Sequence, residues 1–281
     1  MFVLFIISIS GFTIYIDRKI AAYIQNRQGP SEKYNIFQSF FDAIKIFQKH
    51  IIIPKYSNTF LFLICPLIIL LTSILYTYKI WYFQDTYDLL WILILLNIKT
   101  IGIILMTLSF DSNIVKLSIK RNISQYIVYD ILLIICFIEI LFSSHESILN
   151  YILHFLTYSV FYINTFIISN RSPFDLSEAE SELLEGYQTE YSGILWACIM
   201  LSEYMTLIAF NILGVTIFFG SNIFVSIMII FSQIVIRWCF VRYTTLQMIN
   251  IGWQTMLKVL LILLILQLLT TQLLLWIHNH Y

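Results

Sequence analysis

Residues 60–78 read FLFLICPLIILLTSILYTY, nineteen positions without a charge. A helix rises about 1.5 Å per residue, so this stretch nearly covers the hydrocarbon core of a bilayer. Working outward, comparable apolar stretches fall at 1–16, 88–110, 124–143, 147–168, 191–212, 221–241 and 255–277. Of the 281 residues, 59% are hydrophobic and only 11% charged. Mean hydropathy is +0.84. A soluble domain carries roughly 25% charged residues, so this chain cannot build a water-facing shell. The runs are continuously apolar rather than alternating, which argues against a transmembrane β-barrel. The expected fold is all-α: a polytopic transmembrane bundle of about eight helices, forming one integral membrane domain over 1–281.

The N-terminal stretch has no basic region before it and no small-residue cleavage site after it, so it reads as a retained helix. Cys65, Cys136, Cys198 and Cys239 each fall within a predicted span without CxxC spacing. They read as packing residues. The five histidines are scattered, and no metal site or haem pair is expected. The chain has six Ala and eight Gly against heavy Ile, Phe and Tyr use. That bias follows AT-rich coding and suggests an organelle-encoded product, with an AT-rich bacterium as the alternative.

Counting loops alternately puts thirteen of the sixteen Lys and Arg on one side. They are Arg18, Lys19, Arg27, Lys33, Lys45, Lys49, Lys55, Lys116, Lys120, Arg121, Arg171, Arg237 and Arg242. By the positive-inside rule these loops face the matrix or cytoplasm, and both termini face outward. Phe37, Phe40, Phe41, Ile44 and Phe47 repeat at helical spacing in loop one, with Asp42, Lys45 and Lys49 on the other face. This predicts an amphipathic surface helix, either an anchor or a gate.

The richest segment is NRSPFDLSEAESELLEGY, residues 170–187. Pro173 suits the first turn of a helix, and Ser177 with Glu180 fits a capping box. Asp175, Glu178, Glu182 and Glu185 then form one helical stripe; with Glu180 and Glu190 there are six acids in sixteen residues. Neighbouring like charges repel, so the stripe needs protons or outside cations to answer it. Such a run is commonly a solvated face, but here it opposes the basic sign of its side of the membrane. Asp130, Glu139, Glu190 and Glu203 fall within or beside apolar spans. A charge at the bilayer centre costs about 2.5–3.5 kcal/mol on the insertion scale, so such groups face the bundle interior. Read as one helix, Glu190 and Glu203 stand about 140° apart and cannot chelate one ion; a relay suits them better. Asp130 and Glu139 fall on opposite faces. Lys99 could pair with one of these acids.

The run at 170–183, followed by Glu190-Tyr191 and Ser202-Glu203-Tyr204, resembles the NADH dehydrogenase subunit 1 family. Loop one is similar through Asp17-Arg18-Lys19, Gln25, Arg27, Gly29-Pro30, Gln38, Asp42 and Lys45. Further likeness lies in Tyr129-Asp130, with Arg121 before it, and in Arg237, Arg242, Gln247 and Gly252-Trp253. The likeness spans nearly the whole chain. Departures are Asp17 and Asp130 in place of Glu, Ser39 in place of Pro, and a loop one shorter by about two residues. Thr244-Thr245-Leu246 replaces Arg-Tyr-Asp, and Lys99 and Glu139 have no placed counterpart.

The resemblance implies a membrane subunit of proton-pumping NADH:ubiquinone oxidoreductase that carries no redox centre. It implies a tunnel for ubiquinone, bound as substrate, without covalent cofactor, metal or catalytic side chain in this chain. Asp17, Arg18, Arg27, Asp42, Lys45, Arg171, Phe174, Arg237 and Arg242 would frame the tunnel and inner loops. Asp130, Asp175, Glu178, Glu180, Glu182, Glu185, Glu190 and Glu203 would relay protonation. Implied partners are the quinone-reducing and terminal iron–sulfur cluster subunits of a peripheral arm, small neighbouring membrane subunits and lipids, with no nucleic acid. The implied setting is the mitochondrial inner membrane, or a bacterial plasma membrane. Rival readings are the membrane anchor of a proton-pumping hydrogenase and a proton-coupled secondary transporter.

Overall fold

The computed structural model describes residues 2–30, 37–55, 57–83, 85, 87–110, 112–142, 148–176 and 186–280, with backbone only for 2, 3, 148 and 273–280. The helices are α1 (Phe2–Ile24), α2 (Gln38–Phe47), α3 (Thr59–Trp81), α4 (Tyr87–Leu108), α5 (Asn113–Phe142), α6 (Ile148–Ile168), α7 (Gly193–Phe218), α8 (Ile223–Cys239), α9 (Thr245–Asn250) and α10 (Leu257–His280). A 3-10 turn, Gly186–Glu190, precedes α7. A π turn, Ile251–Met256, joins α9 to α10.

Six of these are long and apolar enough to cross a membrane: α3, α4, α5, α6, α7 and the continuous α9–α10 rod. Apolar α8 has 17 residues. The 23-residue α1 ends with Asp17, Arg18 and Lys19 inside its last turns. Together these make the multi-pass bundle of about eight helices that composition demanded. The boundaries differ from the apolar runs, because helices continue past the hydrocarbon. The span expected at 124–143 starts at Asn113, and the one at 255–277 starts at Thr245. Hydropathy marks where lipid begins, while backbone hydrogen bonding carries the helix on.

α7 is the hub. It packs on α3, α6, α1, α8 and α2, and its buried residues run almost unbroken from Ser202 to Val215 apart from Tyr204 and Ile212. α10 instead lies against α5 and α6 and exposes Leu261, Ile262, Ile265 and Leu269. Amide side chains tie the bundle together. Gln125 Nε2 donates to Ile167 O at 2.9 Å and Asn170 Oδ1 at 3.0 Å, and Asn164 Nδ2 donates to Tyr129 O at 3.2 Å. Gln233 links Asn211, whose Nδ2 donates at 2.6 Å, to the Thr165 hydroxyl. In lipid such polar contacts substitute for a hydrophobic drive between helices.

The predicted surface helix is α2. None of its residues is buried, so its Phe41, Ile44 and Phe47 remain exposed. It lies against α1, with the Phe40 ring over Gly11.

α1 and α6 end alike. Asn26 and Asn170 adopt left-handed φ of 49° and 50°. Arg27 N donates to Ala22 O and Arg171 N to Phe166 O, and the two asparagine amides reach Tyr23 O and Ile167 O. This is the Schellman closure, with Asn in the position usually taken by Gly.

Gly252 lies in the π turn, which packs on α5. A methyl group there would run into the Val128 side chain, which is β-branched and slow to yield. Gly252→Ala should therefore destabilise the bundle by about 1–3 kcal/mol through overpacking. Val128→Ala in the same chain should restore much of the loss. Thermal denaturation of the detergent-solubilised protein reads both.

Candidate functional site

Four of the functional candidates converge at the end of α1, α7 and α8 that carries the basic loops. α1 presents Asp17, which is 4% exposed. Its carboxylate accepts from three donors: Trp238 Nε1 at 2.7 Å, Tyr204 Oη at 2.8 Å and Arg237 Nη1. Two of these come from successive residues of α8 and one from α7. Arg237 also reaches the Tyr204 oxygen at 3.5 Å.

Arg171 enters from the turn after α6. The Schellman closure reverses the chain just there and delivers the guanidinium over the Tyr204 ring, 4.3 Å from its centroid. Its Nη2 meets Glu203 Oε2 at 3.2 Å, with both side chains almost wholly buried. The other Glu203 oxygen accepts from Gln188 Nε2 at 2.8 Å. A continuous chain of contacts thus runs from Gln188 through Glu203, Arg171 and Tyr204 to Asp17, Arg237 and Trp238. A void of about 10 Å³ lies among Thr13, Asp17, Arg171, Tyr204, Gln233 and Arg237. That is about the room of one water molecule.

The turn at 171–176 is fastened to the start of the last inner loop. Ser172 Oγ donates to Arg237 O at 3.1 Å, and Tyr243 N donates to Pro173 O at 3.0 Å. Arg242 Nη2 pairs with Asp175 Oδ2 at 3.0 Å, and the buried Phe174 ring packs 5.3 Å from Tyr243. Pro173 therefore belongs to a turn rather than to the first turn of a helix, because its carbonyl and its neighbour Ser172 bond across to the other loop.

The expected site residues are only partly brought together. Asp17, Arg171, Glu203 and Arg237 share one network, and Asp175 with Arg242 adjoins it. Arg18 leaves this centre and pairs with Asp42 of α2; Arg18 and Arg27 line an open polar recess of about 270 Å³ with Gln28 and Gln38. Lys45 is exposed. Asp130 is half-buried on α5, while Glu139 on its opposite face is fully buried. Glu190 ends the 3-10 turn rather than sharing a helix with Glu203, so the 140° separation does not apply. Glu178, Glu180, Glu182, Glu185 and the Ser177–Glu180 cap lie outside the described residues. Tyr204, Trp238 and Gln188 are site residues that the charge pattern passes over. The first two adjoin Glu203 and Arg237 in sequence, and that adjacency was their available signal.

Chemically, the arrangement is a buried set of alternating acids, cations and hydroxyl or indole donors. It can hold charge, exchange protons along short steps and fix three inner loops. A family model described as NADH dehydrogenase matches residues 1–268. An NADH-quinone oxidoreductase subunit from Ehrlichia canis (strain Jake) is 30% identical over 300 residues, covering 89% of this chain and 81% of that one. The corresponding protein from Pelagibacter ubique is 31% identical, covering 74% and 68%. NADH-ubiquinone oxidoreductase chain 1 of Strongylocentrotus purpuratus is 27% identical, covering 87% and 85%.

Arg171→Ala leaves Glu203 as a buried anion and should cost about 3–5 kcal/mol. Adding Glu203→Gln should recover part of that loss, since the neutral amide no longer needs a cation. Thermal unfolding of the single and double variants measures the difference, and equal losses in both would contradict the pairing.

Proposed function

This chain belongs to the NADH dehydrogenase family, and from that premise we propose that it is the quinone-channel membrane subunit of a proton-pumping NADH:ubiquinone oxidoreductase. Its inner loops frame the entry of ubiquinone, and its acids link quinone reduction to proton translocation. The observation that carries the reading is the buried chain from Gln188 to Trp238 through Glu203, Arg171 and Asp17. It adjoins the acid-rich segment at Asp175 and lies at the inner membrane face, where a peripheral arm would dock.

In this reading the chain supplies no redox group. Electrons reach quinone from the iron–sulfur and quinone-reducing subunits of the arm, while this chain admits the apolar substrate. Reduction of a quinone to quinol consumes two protons, and the acids of 175–190 respond to that demand. Glu190, Glu203 and Asp130 pass the change toward neighbouring membrane subunits. Arg171 and Arg237 orient Glu203 and Asp17 and balance their charge, because each cation lies against its carboxylate. The names of the relatives support quinone as the substrate class. The AT-rich composition favours the mitochondrial inner membrane; the relatives include both bacterial and animal proteins.

Glu190→Gln and Glu180→Gln should each abolish NADH:quinone turnover and its proton pumping. NADH oxidation by artificial acceptors, which needs only the peripheral arm, should be unaffected. Wild-type quinone reductase rates in both variants would overturn the assignment.

A further inference from the structure

Among the described residues, one carboxyl lies outside the inner network and is buried completely: Glu139 of α5, at 0% exposure. Neither of its oxygens meets a hydrogen-bond partner among the described residues. The same is true of both polar atoms of Gln267 on α10, a side chain 2% exposed. Buried polar atoms without partners are rare enough that each asks for a reason.

Helix register sets the two residues at one height. α5 and α6 run antiparallel, with Gln125 opposite Ile167 and Tyr129 opposite Asn164; Glu139 is then level with His154. Thr270 Oγ1 donates to Asn150 Oδ1 at 3.1 Å, so antiparallel α10 brings Gln267 level with Leu153. The two side chains thus lie within about one turn of each other in height. Around α5, Gln125 faces α6 and Val128 faces Gly252 at the start of the α10 rod. At about 100° per residue, Glu139 points between those directions, into the crevice between α6 and α10. Gln267 continues the buried stripe Leu260, Leu263 on α10, which packs on α5 and α6.

As placed, the two side chains do not bond to each other, but turned toward one another their four atoms fit one arrangement. A carboxylate accepts from the amide nitrogen but offers nothing to the amide oxygen. A protonated carboxyl donates its O–H to Gln267 Oε1 while its carbonyl accepts from Nε2, and all four atoms are satisfied at once. The alternative is an unpaired anion in lipid-enclosed protein, which is strongly disfavoured. We infer that Glu139 is a proton-binding site whose acid form closes, by side-chain rotation, an acid–amide pair with Gln267 and so clasps α5 to α10.

α6 brings His154, whose ring packs 5.8 Å from Phe218 of α7, and the neutral Asn150 to this height, and α10 brings the neutral Thr270. Lys99 of α4 lies about 14 Å above the inner end of its helix, whereas Glu139 lies about 39 Å along α5 from that same end. Asp88, at the other end of α4, is paired with Lys79. Asp130 lies on the opposite face of α5, and the 3-10 turn, α9 and the π turn pack toward its inner half. Glu139 is three residues from Phe142, the last residue of its helix. That end of the helix is the one opposite the basic loops.

The site is independent of the quinone reading, and its test reads protonation rather than turnover. Infrared difference spectra of the intact membrane-embedded complex, recorded in light and heavy water, should contain the carbonyl stretch of a protonated carboxylic acid. That band should vanish in Glu139→Gln and shift in Gln267→Leu, which removes its hydrogen-bond partner. A band unchanged in Glu139→Gln would overturn the proposal. The thermal midpoint of the complex should also fall as pH rises, because the acid form makes the pair. In Glu139→Gln an amide–amide pair keeps both bonds without a proton, so this alkaline loss should shrink. Identical pH profiles for the wild type and Glu139→Gln would count against the clasp.

Discussion

A charge inside a lipid-facing bundle has no water to turn to, and the contact between Arg171 and Glu203 is where this chain meets that constraint most directly. Each residue alone would be costly at such burial; together they join the chain end after α6 to α7. The rest of the inner face is built on this pairing. Arg171 arrives by way of the Asn170 helix end, lies across Tyr204, and so aligns the hydroxyl that donates to Asp17. Asp17 in turn fixes Arg237 and Trp238, and the turn at Ser172 and Pro173 is sewn to the chain beyond α8. Charge neutralisation and loop placement are therefore the same event.

Much of this was legible in the sequence, for identifiable reasons. The charge-free run at 60–78 announced α3, since nothing but a lipid-facing or lipid-spanning helix tolerates it. The Phe37–Phe47 spacing announced α2. Helix ends were less legible. Asn113–Ile123 of α5 contains Lys116, Lys120 and Arg121 and looks like a loop by hydropathy, yet its backbone satisfies itself as helix. Glu190 reads as part of a transmembrane helix because its neighbours are apolar. The left-handed φ of Gly186 and of Gly193 instead brackets a short turn, a constraint carried by two glycines that no periodicity reports.

The site was legible as charges and illegible as a circuit. Asp17, Arg171, Glu203 and Arg237 stood out because ionised groups are scarce in this composition. Their wiring depends on neutral donors, and Tyr204, Trp238 and Gln188 are hard to distinguish from ordinary side chains among eighteen tyrosines and six tryptophans. Pairing across more than two hundred residues, as between Asp17 and Arg237, leaves no local pattern in the chain at all.

The short side chain of Asp17 has a mechanical consequence. Three donors from two helices close on a single carboxylate that stands only one methylene from the α1 backbone. Such a group is a gauge: it fixes how near α1 must lie to α7 and α8, with no slack for the acid to follow if either helix withdraws. A longer acid would tolerate relative movement by uncoiling its own torsions. Here any shift of α1 along the bundle must break a bond at Asp17 or carry α8 with it, so the first and seventh crossings move as one body.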